Sequence, residues 1–151
     1  MASFAEFIAQ EFESTVSVTW KLKSVTQAVA TFAVKSITVE VDFEQREPNG
    51  PWHVSFNTRD GDLTDLKDEM LAFRRLNGVF QAVREFLETR QPERIVFIAK
   101  DESRAGIYAV YLRREKTKLR DLGYEIEGPH SVDPYTQWTL RRVQPSAWVI
   151  S

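Results

Sequence analysis

The chain has no cysteine and only two histidines in 151 residues. The first absence removes disulfides, thiolate metal sites and a cysteine nucleophile together. The second leaves His53 and His130 as the only imidazoles, too few for a histidine-rich metal centre, so no metal cofactor is expected. Long apolar runs are missing too. Nothing approaches the roughly 20 residues needed to cross a bilayer as a helix, so no membrane association is expected. The opening stretch MASFAEFIAQEFES lacks a basic region and carries Glu6, Glu11 and Glu13, unlike a secretory signal. A cytoplasmic protein is the expectation. Internal repeats, low-complexity tracts and long linkers are also absent.

What remains is an ordinary globular composition, 42% apolar and 28% charged, in a length suited to one domain. The expected organisation is a single domain over residues 1–151. A helix and a meander occupy 1–60, and a helix-strand-helix segment with closing strands occupies 61–151. Net charge is -2 but uneven: residues 1–70 hold 6 Lys+Arg against 12 Asp+Glu, and residues 71–151 hold 14 against 10. A basic second half either meets phosphates, of a nucleic acid or a cofactor, or is simply a solvated face. An overall pI of about 5.8 argues against a dedicated nucleic-acid binder.

Spacing of apolar residues gives the elements. Phe4, Phe7, Ile8 and Phe12 predict a short amphipathic helix over 3–13. Val16, Val18, Trp20 and Leu22 alternate as a strand. Ala28 to Val34 and Ile37 to Phe43 alternate with opposite parity, which predicts two strands joined by a tight turn at Lys35-Ser36. Glu47-Pro48-Asn49-Gly50-Pro51 is turn chemistry, and Trp52, Val54 and Phe56 form the next strand. From Phe73 to Leu87 the period becomes helical. There Asn77-Gly78 either caps a helix running to about Arg90 or sits inside a longer one. Ile95 to Ala99 reads as a buried strand, and Asp101 or Ser103 can cap a helix bearing Ala105, Tyr108, Leu112 and Leu119. Gly123 ends that helix, and two strands near 124–128 and 135–142 follow. The fold class is α/β (α+β), a mixed, mostly antiparallel central sheet with helices on both faces.

This order, and above all residues 79–124 with Ser103, Arg104 and Tyr108 after the buried strand and the closing Gly123-Tyr124, resembles the acyl-CoA N-acyltransferase (GNAT) superfamily. It is also similar to small GNAT-like proteins of bacteriophages. The resemblance implies an N-acetyltransferase acting on an amine of a protein or small molecule, with acetyl-CoA entering between the meander and the buried strand. It assigns the cofactor pyrophosphate to backbone amides at a helix start, here the stretch Arg74, Arg75, Leu76, Asn77, Gly78, Val79, with Ser103 and Arg104 as further cofactor contacts. Phe80 stands where such a loop has a small residue, and Tyr124 follows Tyr111 at longer spacing than in those enzymes. Tyr108 or Tyr111, one helical turn apart, is the candidate general acid for the departing thiolate; both equally fit core or rim aromatics. His53 is the candidate base, or an ordinary strand histidine. The charged run Arg113 to Lys118 reads as a wet helix face. The alternative is a non-catalytic protein of the same fold, such as a phage factor binding a host protein. Trp52, Trp138 and Trp148, with the tail Ala147-Trp148-Val149-Ile150, would then be its anchors.

Overall fold

A computed structural model describes residues 16–34, 37–58, 69–99, 102–132 and 135–143. The expected helix over 3–13, the turn at Lys35-Ser36, Asp101 and the tail with Trp148 lie outside the described residues. Seven strands and two helices are described. The strands are β1 (Thr19–Ser24), β2 (Gln27–Val34), β3 (Ile37–Gln45), β4 (Trp52–Thr58), β5 (Arg94–Ala99), β6 (Tyr124–Val132) and β7 (Tyr135–Arg142). The helices are α1 (Glu69–Arg90), between β4 and β5, and α2 (Glu102–Asp121), between β5 and β6. The sheet order is β1-β2-β3-β4-β5-β7-β6, mostly antiparallel, with β4 and β5 parallel. The fold is thus α+β with a mixed sheet. By contact density the chain divides into two compact units, Met1–Phe43 with Ser55–Glu85, and Glu44–Val54 with Phe86–Ser151.

In the first unit, β1 and β2 form a hairpin around Val25 and Thr26, where the Thr26 amide donates to Ser24 Oγ at 3.2 Å. Alternation works as the sequence implies: Ala28, Ala30, Phe32 and Val34 are buried on β2, and Val39, Val41 and Phe43 on β3. Trp20 reaches Phe43, with ring centroids 5.4 Å apart. Helix α1 adds Leu76, Val79, Phe80, Ala82 and Val83, all buried. The side-chain amide of Gln81 holds the chain before β1, donating to the Val16 carbonyl at 2.8 Å and accepting from its amide at 2.9 Å.

The second unit begins with the tight turn that Pro48-Asn49-Gly50 dictates. Asn49 takes φ 61, and the Gly50 amide donates to Glu47 O at 2.9 Å. Helix α1 ends at Gln91 with φ 48, whose amide donates to Leu87 O at 3.1 Å, followed by Pro92. Gly123, φ 93, closes α2 in the same left-handed manner. Tyr124 then buries its ring and donates its hydroxyl to Pro92 O at 2.5 Å; burial pushes that phenol up to about 12.

Register decides which face the helices cover here. Trp52 pairs with Ile95, Ile95 with Leu140, and Phe97 with both Val54 and Trp138, so these side chains share one face. Trp52 meets Phe86 and Arg90 of α1, and Trp138 meets Tyr108 of α2. In this unit both helices therefore cover one face, as two right-handed crossovers in the same direction require. Among the described residues of this unit, no helix stands on the other face.

Candidate functional site

Residues 74–80 belong to the middle of α1, not to its start. An α-helix leaves only its first four amides unpaired, and α1 begins at Glu69. The amides of Leu76, Asn77, Gly78 and Val79 are therefore committed to the helix's own carbonyls. Of the two readings of Asn77-Gly78, the longer helix is the one observed. Gly78 has a packing reason. A Cβ there would lie 2.3 Å from Cε2 of Phe32, so only glycine lets the helix approach β2 this closely. Leu76, Asn77, Val79 and Phe80 are buried, while Arg74 and Arg75 are half-buried on the same helix.

The candidate acids lie within the inward stripe of α2. Tyr108 is 6% and Tyr111 1% exposed, alongside Leu112 and Leu119. Tyr108 sets its ring edge-on to Trp138, centroids 6.0 Å apart and planes at 68°. The aromatic alternative describes both residues. Trp52 and Trp138 are likewise buried and do not offer exposed anchors. Ser103 and Arg104 fall in the first turn of α2, with their side chains outside the described residues.

His53 pairs with Val96 on the central strand. It is half-buried, and its Nδ1 is enclosed with no hydrogen bond among the described residues. Burial, with the Arg46 cation beside it, holds the imidazole below its usual range, against Glu44 and Glu47, which raise it. Its neighbours Trp52 and Val54 point to the helix-covered face, so His53 points to the opposite one. Tyr108 lies on the helix-covered face. The candidate base and the candidate acid are thus on opposite sides of the sheet.

Two features of α2 are not visible in residue type alone. Within the run Arg113 to Lys118, Glu115 is not wet: it is 1% exposed and continues the inward stripe one turn after Tyr111. The 3.6 period from Tyr108 through Tyr111 and Leu112 was the signal that could have found it. The opposite, outward row contains Gly106, Val110, Arg113, Thr117 and Arg120, all exposed. Lys116 and Arg120 also line a cleft of about 240 Å³ with Tyr124, Glu125 and Ile126. In that cleft Glu125 is already paired with Arg141 at 3.2 Å.

Among the described residues no cluster of three or more His, Asp or Glu side chains is arranged to hold a metal, and no helix is long and apolar enough to cross a membrane. No protein-family model, no curated protein and no solved structure matches this chain.

Proposed function

We propose that this chain is an acyltransferase-like scaffold of the GNAT type that works by binding a protein partner and does not transfer acyl groups. One observation carries the reading: α1 runs unbroken through residues 74–80, so the amides that would grip a pyrophosphate are already bonded within the helix. The opposed positions of His53 and Tyr108 add to it, because acid-base catalysis needs both groups within reach of one substrate. The scaffold half of the reading is supported by the sheet order and by the parallel β4–β5 pair where meander and central strand meet. Such a core is retained easily when a cofactor loop is lost, since fold and function are separable. A host protein of a bacteriophage, met in a cytoplasm, is one such partner.

The test is calorimetric titration of the full chain with CoA and with acetyl-CoA. No heat of binding is expected for either. Saturable binding with amine-dependent release of free thiol would restore the N-acetyltransferase reading and remove this one.

A further inference from the structure

Helix α2 has a single acid between residues 105 and 120, and that acid, Glu115, is turned inward. The outward row is left without an acid of its own until Asp121 at the helix end. Its positions recur once per turn, so Gly106, Val110, Arg113, Thr117 and Arg120 stack above one another, with Ala109 and Lys116 on the flank. The row has two different halves. The first is flat and uncharged: Gly106 has open space where a side chain would begin, and Val110 is 42% exposed. The second is cationic: Arg113, Lys116 and Arg120 are exposed and take no part in the ion pairs described.

Each half carries a local cost in the isolated helix, although Arg120 in the last turn also complements the helix dipole. Glycine inside a helix is worse than alanine unless a neighbour needs the space, and among the described residues no neighbour does at Gly106. Arg113 and Lys116, and Lys116 and Arg120, are like charges three and four residues apart, which repel. One kind of occupant relieves both. We infer that this row docks an amphipathic helix of a partner protein, with small apolar side chains across Gly106–Val110 and carboxylates across Arg113, Lys116 and Arg120. A side-chain-free step lets two helix backbones approach closely, and the carboxylates then complement the cations one to two turns further on. A nucleic-acid backbone would use the cations but has no need of the flat apolar half, and the net charge of -2 opposes it. The inference rests on the partner-binding reading and specifies its surface.

The probe is a synthetic helical peptide with Glu facing the three cations and Ala and Leu on the preceding turn. It is titrated by fluorescence anisotropy against the full chain, beside a Lys-for-Glu peptide and a DNA duplex of equal charge. The Glu peptide is expected to bind, and to weaken about tenfold or more in the triple variant Arg113→Glu, Lys116→Glu, Arg120→Glu, which should bind the Lys peptide instead. Gly106→Leu, at an exposed helical position, should weaken the Glu peptide to a similar degree while leaving any DNA binding unchanged. Circular dichroism checks that every variant is folded. Failure of the Glu peptide to bind, equal binding to the triple variant, or indifference to Gly106→Leu overturns the inference. Tighter binding of DNA than of the Glu peptide overturns it in favour of a polyanion site. The CoA titration reports separately: saturable CoA binding with amine-dependent thiol release, together with the peptide pattern, keeps this surface and removes only the non-catalytic reading.

Discussion

Gly78 in α1 and Gly106 in α2 are both helix-interior glycines, yet a Cβ would lie 2.3 Å from the Phe32 ring at the first and in open space at the second. Glycine costs a helix about 0.5–1 kcal/mol relative to alanine in either place. At Gly78 that cost is offset by close packing of Phe32, which is 3% exposed, against the helix. At Gly106 nothing among the described residues offsets it. The comparison teaches that a glycine's role is set by what occupies the space beside its Cα, which one-dimensional motifs do not contain. Arg75-x-x-Gly78 looks like a phosphate loop because such loops also need a missing side chain. Here the missing side chain makes room for a phenyl ring.

The strongest attack on this comparison removes the ring. Phe32→Ala should lower unfolding stability by about 3–5 kcal/mol in urea melts. Adding Gly78→Ala to it should then cost markedly less than the same change in the parent chain; simple additivity would mean that the two positions are not coupled. Gly78→Ala alone is the next largest effect, a loss of about 1–3 kcal/mol from overpacking. A neutral result would show that the ring moves aside and that the close approach does not require glycine. Gly106→Ala should act in the opposite direction, raising stability by about 0.5–1 kcal/mol, because open space accepts the methyl group. Destabilisation there would reveal an internal contact at Gly106 and remove half of the docking inference.

The smallest effect is a pH dependence that refines these measurements. His53 is held below its ordinary value of 6.5, chiefly by burial. The unfolded chain therefore takes up the proton more readily than the folded one. The stabilisation from neutral His53 is present above about pH 6.5 and is lost as pH falls through the lowered folded value. His53→Gln should flatten that part of the stability-pH curve. An unchanged slope would assign it to other groups. The glycine variants are best compared on the alkaline side of this range.

Much of the architecture was legible beforehand. Alternation located β2, β3 and β4, the parity change separated β2 from β3, and the Pro48-Asn49-Gly50 turn and the stop at Gly123 stand where backbone chemistry requires them. Strand β6 extends further than expected, to Val132, because its second half pairs with β7 through a shift between Glu127 and His130. At that shift Gly128, φ 120, lies where a Cβ would be 2.8 Å from Gln137 O. The candidate site was much less legible. Tyr108, Tyr111 and His53 were singled out by residue type, but reactivity depends on which side of the sheet each occupies, and that follows from pairing with β5 and β7. Glu115 was hidden by its cationic neighbours, since a charge run reads as wet unless its helical phase is followed.

Sequence alone determined the succession of the described strands and helices, the turn at Pro48-Asn49-Gly50 and the helix stop at Gly123, because these follow from local dihedral preferences and from the period at which apolar side chains recur. Tertiary structure decided that residues 74–80 are helix interior, that His53 and Tyr108 face away from each other, and that Gly106 opens outward beside cations. Those outcomes depend on which distant side chain fills the neighbouring space, and that is fixed only when strands and helices pack.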